Sequence, residues 1–174
     1  MRFSPTSIIG AFIVEPDPRP DERGFFARLH CPREFASAGI GFAPLQTSLS
    51  RNTAARTLRG MHYATEPEAK LVRCVSGRML DVLFDIRPDS PTFRATFGIE
   101  LDAQSARGLF VPAGVAHGFL TLEPGTDVLY QIDRIYRPGF DAGLRWNDPA
   151  FDFRWPAEPA VIGARDATWP DFRV

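Results

Sequence analysis

The fold is decided by the segment Met79-Leu80-Asp81-Val82-Leu83-Phe84-Asp85-Ile86. Along it Leu80, Val82, Phe84 and Ile86 occupy every second position, which is the period that a β-strand gives its side chains. The positions between them hold two aspartates and two apolar residues. This pattern predicts a half-buried strand, with one face against a core and the other face partly open to solvent.

Other segments repeat this signal on both sides. The same period appears at 97–102 and 128–132, and shorter apolar runs predict strands at 8–14, 25–29, 45–50, 58–63, 71–75, 108–111 and 118–122. Glycine- and proline-containing turns separate them. One helix is predicted over 32–38, with Pro32 near its start and Gly39 placed to cap its end. Many short strands with frequent turns indicate an all-β sandwich or barrel, and the Pro- and Trp-rich tail from Asp148 onward is predicted to be irregular and to cover it.

Composition limits the class of protein. The 174 residues, of which 44% are apolar, are predicted to form one domain over residues 1–174. A formal charge of −1 with interspersed signs argues against nucleic acid or a membrane surface as a partner. Cys31 and Cys74 lie in no metal-binding or redox motif, and the first apolar run is too short for a signal peptide or a membrane span. We therefore expect a cytoplasmic location.

The three histidines, His30, His62 and His117, are too few for a metal centre inside a β-barrel, which needs several imidazoles and a carboxylate around one ion. Such a centre commonly begins with two histidines one residue apart, whereas Arg59-Gly60-Met61-His62-Tyr63 holds one. We predict no bound metal. Taken singly, His30 is interpreted as a surface residue at a strand end, and the other two as hydrogen-bonded core residues.

Taken together with Lys70 and Tyr130, the histidines favour a catalytic role over that interpretation. Lys70 is the only lysine among twenty basic residues, and an ammonium is a compact point charge that arginine does not imitate. It follows His62 by eight residues, on the next predicted strand. Tyr130 shares a strand face with Val128 and Ile132. A base, a cation and a phenol are therefore predicted to line one interior.

With these residues in order, the chain resembles the deoxysugar 3,5-epimerases of the cupin superfamily, which act on dTDP-4-keto-6-deoxyglucose in rhamnose biosynthesis. The resemblance covers nearly the whole chain and rests on the motifs Asp21-Glu22-Arg23-Gly24-Phe25-Phe26, Leu58-Arg59-Gly60-Met61-His62-Tyr63, Lys70-Leu71-Val72-Arg73-Cys74, Ser90-Pro91-Thr92, Val111-Pro112-Ala113-Gly114, Leu129-Tyr130 and Arg145-Trp146-Asn147-Asp148-Pro149. It implies a cupin-type double-stranded β-helix, or jelly-roll barrel. It also implies a homodimer that binds a nucleotide sugar and uses neither a metal nor an organic cofactor.

The resemblance also implies the catalytic residues. His62 matches the base that removes the hydrogens made acidic by the C4 ketone, and Lys70 matches the cation beside the enolate oxygen. Tyr130 matches the acid that returns a proton to the opposite face. Asp166 matches the carboxylate that orients His62; a surface carboxylate in a loose tail is the alternative for that residue.

Substrate-binding positions follow from the same resemblance, but several depart from the family pattern. The implied positions are Arg23, Phe26, Arg28, Gln46, Ser48, Arg59, His117, Tyr136, Asp141 and Arg165. Arg28 replaces a glutamate in the nucleotide-recognition strand, Ser48 ends a Gln-Thr-Ser run in place of Gln-Asp-Asn, Asp141 replaces a glutamate and Arg165 a lysine. The loop between His62 and Lys70 is two residues shorter than usual. Catalytic positions therefore match better than binding positions.

Several functions remain open at this point. The main prediction is an isomerase that epimerises a nucleotide-linked 4-keto-6-deoxyhexose. Within the same class, the chain is alternatively an epimerase of C3 alone or one that uses another nucleotide carrier, while a 3,4-ketoisomerase is a poorer match to His62, Lys70 and Tyr130. A non-catalytic sugar-nucleotide-binding cupin and a metal-dependent cupin are the alternatives from other classes.

Overall fold

The computed structural model describes residues 1–173, which form two facing β-sheets. In spatial order, the strands of the first sheet are β1 (Arg2–Pro5), β2 (Phe12–Glu15), β10 (Gly108–Val111), β7 (Lys70–Ser76), β12 (Thr126–Ile132) and β5 (Gln46–Asn52). Those of the second are β13 (Asp141–Gly143), β6 (Thr57–Ala64), β11 (Val115–Thr121), β8 (Arg78–Asp85) and β9 (Thr96–Asp102). Strand β14 (Val161–Ile162) runs parallel to β6.

Four smaller elements lie outside these sheets. Strands β3 (Arg19–Asp21) and β4 (Gly24–Phe26) pair only with each other, as a separate hairpin. Helix α1 (Pro32–Ser37) and helix α2 (Ala164–Ala167) are both short. None of the helices among residues 1–173 has the length and apolar run that crossing a bilayer requires.

The strand order gives a jelly-roll barrel, because neighbours in each sheet come from distant parts of the chain. Strand β2 lies beside β10, and β7 lies between β10 and β12. The main core fills the space between the sheets and includes Val72, Leu83, Leu109, Phe119 and Val128, all fully buried. Apolar residues at alternate positions face this core, as the period of two predicted. The predicted all-β cupin-type fold is therefore confirmed.

Strand β8 differs from its prediction because both of its faces are buried. Leu83 faces the main core, while Val82 and Phe84 belong to a second cluster under the C-terminal tail. Phe151 stacks on Phe84 with 4.5 Å between ring centroids, and Phe153 lies 6.0 Å from the same ring. Alternation identifies a strand, but it does not say what will cover its second face. The prediction that the tail covers the barrel is confirmed, although β14 and α2 interrupt its irregular course.

The first thirty residues contain most of the other differences. Of the strand predicted over 8–14, residues 12–14 are confirmed as part of β2. Residues 8–11 instead form a turn, in which the Ala11 amide donates to the Ile8 carbonyl and Gly10 has a φ of +84°. Strand β4 ends at Phe26, three residues before the predicted end at 29. Helix α1 is confirmed to within one residue of its predicted end, with Gly39 at a φ of +76° after it.

His30 was predicted to be an ordinary surface residue, and that prediction was wrong. Its ring packs against Phe35 and Phe42, with centroids 4.9 and 5.6 Å away, and Nε2 is buried. Burial lowers the pKa of the His30 imidazole, and the charge of Arg73 acts in the same direction. His30 therefore belongs to the aromatic layer under α1.

Candidate active site

The two sheets contribute different functional side chains to the barrel. His62 lies on β6 and His117 on β11, and the two residues are direct partners in the antiparallel register of the second sheet. Lys70 begins β7 and Tyr130 lies on β12, both in the first sheet. The predicted base and the predicted acid therefore approach the interior from opposite walls.

A carboxylate holds His62. The Nε2 atom of the ring lies 2.6 Å from Oδ1 of Asp166, and the Gly60 amide donates to Oδ2 of the same carboxylate at 3.1 Å. Trp169 donates its indole N–H to Oδ1 at 3.2 Å. Burial of Asp166 opposes ionisation, but the hydrogen bond and charge of His62, with the other donors, bring the pKa of the carboxyl below its usual value. An ionised Asp166 thus faces the imidazole.

Helix α2 brings Asp166 to the barrel because the tail packs closely there. Trp169 lies directly on Gly143 of β13, where any larger side chain would collide with the indole. The guanidinium carbon of Arg165 lies 4.7 Å from the Trp169 ring, within the range of a cation–π contact. The residues predicted from a loose-looking tail are in this way fixed beside β6.

The phenol of Tyr130 is held in its neutral form. Burial raises the pKa of its hydroxyl well above the usual value, Asp81 and Asp166 raise it further, and Arg59 opposes them. Its ring lies edge-on to His117, with 6.0 Å between centroids. A neutral phenol can donate a proton, so the electrostatics suit the role of an acid.

A second carboxylate–imidazole pair lies deeper in the barrel. His117 Nε2 is 2.6 Å from Oδ1 of Asp81, and both side chains are almost wholly buried. Oδ2 of Asp81 has no hydrogen-bond partner among residues 1–173. Asp81 was missed from the sequence, although the alternation along β8 already placed a charged residue on the same strand face as Met79 and Leu83.

A cavity of about 220 Å³ opens beside His62 and Lys70. Tyr136, Asp141 and Arg165 also line it, so five predicted residues border one cavity. Asp141 and Arg165 form an ion pair, which lowers the pKa of the Asp141 carboxyl.

Glu68 also lines the cavity, with Oε1 3.4 Å from the Lys70 ammonium, and sequence reasoning missed it. The sequence feature that could have identified Glu68 is its position two residues before Lys70, which puts both side chains on one face of an extended chain.

Three further predicted residues adjoin this region. Ser48 pairs with Tyr130 across the β5–β12 ladder, so the two share a face of the sheet. Gln46 accepts a hydrogen bond from the Tyr136 amide at 3.0 Å. Arg59 donates to Asn52 at 2.8 Å, and no carboxylate lies within ion-pairing distance of it among residues 1–173. Asn52 is a second residue that sequence reasoning missed.

Arg23, Phe26 and Arg28 are not brought to this cavity. Arg23 pairs with Asp21 of its own hairpin, and Arg28 pairs with Glu34 of α1 at 3.1 Å. Phe26 is 75% exposed. The hairpin stands apart because it makes no ladder to either large sheet.

A sequence profile described as dTDP-4-dehydrorhamnose 3,5-epimerase matches residues 5–173. The chain belongs to this family. It is 36% identical over 176 residues to the dTDP-4-dehydrorhamnose 3,5-epimerase of Methanothermobacter thermautotrophicus, covering 99% of this chain and 95% of that one. The family assignment made from the sequence motifs is confirmed.

Solved structures agree with it. The dTDP-4-dehydrorhamnose 3,5-epimerase of Bacillus anthracis, with TDP and PPi bound, superposes with a TM-score of 0.94 at 34% identity over 98% of this chain and 99% of that one. A 3′-monoepimerase of Streptomyces bikiniensis in complex with dTDP-quinovose gives a TM-score of 0.89 at 30% identity over 96% and 86%. Among residues 1–173, histidine, cysteine and acidic side chains form no group of three or more arranged to hold a metal ion. That this epimerase works without a metal or organic cofactor stays a prediction.

Proposed function

We propose that this protein epimerises dTDP-4-keto-6-deoxy-D-glucose to dTDP-4-keto-L-rhamnose. One observation carries the proposal: the His62–Asp166 pair belongs to the second wall of the barrel and Tyr130 to the first, and Lys70, at the start of β7 in the first wall, lines the same cavity as His62. Inversion of a carbon centre needs a base on one face of the sugar and an acid on the other. Opposed walls supply that arrangement.

The reaction begins when His62 removes the hydrogen on a carbon next to the ketone. Negative charge then develops on the C4 oxygen, where the Lys70 ammonium stabilises it in a partly enclosed cavity. Asp166 stabilises the imidazolium that His62 becomes. Tyr130 returns a proton to the opposite face of the same carbon, which inverts the centre. Once His62 has released its proton to solvent and the Tyr130 phenolate has regained one, repetition at the second carbon gives the L-sugar.

The test is proton NMR of dTDP-4-keto-6-deoxyglucose with the purified protein in deuterated water, following the C3 and C5 hydrogens separately. Exchange at both positions, with an L-sugar trapped by a reductase, is expected. His62→Asn should abolish exchange and leave dTDP binding nearly intact. A wild-type protein that exchanges neither hydrogen, with dTDP-, UDP-, GDP- and CDP-linked keto sugars alike, would rule the proposal out and favour a sugar-nucleotide-binding protein.

An epimerase of C3 alone is the second candidate, favoured by the likeness to a 3′-monoepimerase at 30% identity. The same cavity and the same base serve either reaction. The two differ only in whether the C5 hydrogen exchanges in the NMR experiment.

We also propose a homodimer in which the β3–β4 hairpin packs on a second copy. Phe25 and Phe26 are 50% and 75% exposed, and two short strands without a covering layer are marginal in water. Leu49 and Val75 are exposed on the first large sheet, and Val75 borders the same groove as Phe25 and Phe26. Sedimentation at micromolar concentration should give twice the chain mass, and a monomer would contradict the proposal.

A single domain and a cytoplasmic location complete the proposal. Residues as far apart as Phe3 and Phe172 pack on clusters that cover the same two sheets, which supports one domain. Cys31 and Cys74 are both free thiols, as expected of a reducing compartment.

A further inference from the structure

Glu68 is an acidic residue of the cavity that the proposed reaction does not use. It lies just before β7, and its neighbour Ala69 is buried in the aromatic layer under α1, outside the barrel. Successive side chains of an extended chain point to opposite faces, so Glu68 and Lys70 both point into the cavity. Their side chains are 16% and 14% exposed. Glu68 therefore faces whatever ligand enters beside Lys70.

Two hydrogen bonds fix the backbone next to Glu68. The Ala69 amide donates to Oδ1 of Asp133 at 2.9 Å, and the Asp133 amide donates to the Ala69 carbonyl at 3.3 Å. On the other side, Pro67 restricts the chain through its fixed φ. A side chain that leaves a fixed backbone loses less conformational freedom when it meets a ligand. The carboxylate of Glu68 is thus held ready for binding.

This carboxylate has unused hydrogen-bonding capacity. Its one polar contact with residues 1–173 is Lys70, where Oε1 lies 3.4 Å from Nζ. Charge-assisted hydrogen bonds are usually about 2.8 Å long, so the pair is loose. Asp141, which also lines the cavity, is by contrast in direct contact with Arg165. A largely buried carboxylate gains much from a further donor, which a ligand can supply.

The chemistry of the sugar decides which donor fits. A ketone oxygen and a carboxylate both only accept hydrogen bonds, so Glu68 cannot bind the C4 oxygen that Lys70 stabilises. Of the two carbons beside C4, C5 of a 6-deoxyhexose carries a methyl group and C3 carries a hydroxyl. Oxygens on adjacent ring carbons lie close to one hydrogen-bond length apart, which resembles the 3.4 Å between Oε1 and Nζ. A sugar whose C4 oxygen meets the ammonium therefore brings its C3 hydroxyl to the carboxylate.

We propose that Glu68 is a specificity-determining residue that accepts a hydrogen bond from the C3 hydroxyl of the bound keto sugar. This inference rests on the proposed function for its substrate class, a nucleoside diphosphate 4-keto-6-deoxyhexose. The bond forms when the sugar binds and changes little as charge develops on the C4 oxygen, so it contributes to affinity more than to the chemical step. A site that accepts from a hydroxyl rejects an analogue without one, because the buried acceptor is then left without a partner.

Binding can be measured without turnover in a His62→Asn protein, in which the keto sugar is not consumed. The ligands are dTDP-4-keto-6-deoxyglucose and its 3-deoxy analogue, and calorimetry gives the Kd of each with and without Glu68→Leu. Glu68→Leu should weaken binding of the keto sugar about thirtyfold, as expected for loss of a hydrogen bond to a charged group. The Kd values of the 3-deoxy analogue and of dTDP should change less than about threefold.

Two further variants make the comparison specific. Glu68→Gln keeps the shape and a neutral acceptor, so the keto sugar should bind only about threefold more weakly. This variant also tests the proposal if Glu68→Leu fails to fold. Glu100→Leu is the matched control, because Glu100 forms an ion pair with Arg78 at 3.1 Å on β9 and does not line the cavity. It should bind both sugars as the parent protein does.

Kinetics with His62 intact separate a substrate contact from an effect through Lys70. Glu68→Leu should raise KM about thirtyfold and leave kcat within about threefold of wild type. A fall in kcat at constant KM would show instead that Glu68 only places the ammonium, and would overturn the proposal.

An equal loss of affinity for both sugars in Glu68→Leu would also overturn it, because the C3 hydroxyl would then have no part in the effect. A wild-type protein that binds the keto sugar but exchanges neither hydrogen would refute the proposed function alone. The Kd values of the two sugars would still decide the role of Glu68.

Discussion

Replacing Asp166 with asparagine should slow epimerisation more than replacing it with alanine. A carboxylate only accepts hydrogen bonds, so the hydrogen in the 2.6 Å contact belongs to Nε2 of His62. Nδ1 is then the basic nitrogen. The bond to Asp166 therefore sets both the charge beside the base and the nitrogen that carries its lone pair.

The loss of charge can be estimated from the geometry. Two unit charges about 4 Å apart interact by about 4 kcal/mol at an effective dielectric constant of 20. The His62 side chain is 41% exposed, and screening by solvent reduces this to about 2 kcal/mol. Asp166→Ala should therefore lower kcat about thirtyfold.

Asparagine adds a second defect. Its amide has one accepting oxygen, and the buried Gly60 N–H, which cannot turn away, claims that oxygen. The amide N–H₂ then donates to Nε2 of His62 and leaves the ring hydrogen on Nδ1, where the substrate proton must go. The wrong tautomer should bring the total loss in kcat to about a thousandfold.

The assay is the initial rate of deuterium incorporation at C3, with KM measured in the same series and thermal unfolding as the control for folding. Both variants should keep KM within about threefold of wild type, because Asp166 is buried and acts through His62. The reasoning is refuted if Asp166→Asn retains as much activity as Asp166→Ala.

Three further predictions use other groups. Tyr130→Phe should reduce inversion by a factor of about 10² to 10⁴ while exchange from the His62 face continues, which NMR separates from product formation; parallel loss of both would remove Tyr130 from the acid role. Lys70→Arg keeps the charge but not the shape of the side chain, and should lower kcat about tenfold or more with little change in KM. A Lys70→Arg variant with the kcat of wild type would contradict the idea that a compact ammonium charge stabilises the enolate. Burial of Asp85 opposes its ionisation, but hydrogen bonds donated by Arg87, Ser90 and Thr92 lower the pKa of its carboxyl overall. The ionised carboxylate therefore stabilises the fold fully above about pH 4, and this contribution disappears as pH falls through the folded-state pKa. Urea unfolding at pH 3 and pH 6 should therefore show a smaller loss on acidification for Asp85→Asn than for wild type; an equal loss would show that Asp85 does not carry the effect.

The barrel strands were predictable because alternation is a local property. Strands β8, β9 and β12 were found from their apolar period, and their pairing with distant strands followed from the family resemblance. The burial of β8 on both faces was not predictable in the same way. It depends on Phe151 and Phe153, some seventy positions further along the chain, whose packing leaves no periodic signal in β8 itself.

The candidate site divides along similar lines. His62, Lys70 and Asp166 were named from motifs, and the structure brings them to one region. Trp169 and Asp81 were missed, because a tryptophan in an irregular tail and an aspartate in a strand have many ordinary explanations. Only the structure shows that Trp169 packs on Gly143 and that Asp81 pairs with His117.

The position of Asp166 in the chain has a consequence for protein synthesis. A ribosome completes β1 to β13 before it reaches α2, so every strand of the two large sheets can pair while His62 still lacks its carboxylate. A nascent or truncated chain that stops short of Asp166 would therefore be a folded barrel with an unassisted base. Catalytic competence would appear as the final event of maturation, and a library of progressively shortened chains would separate the two steps.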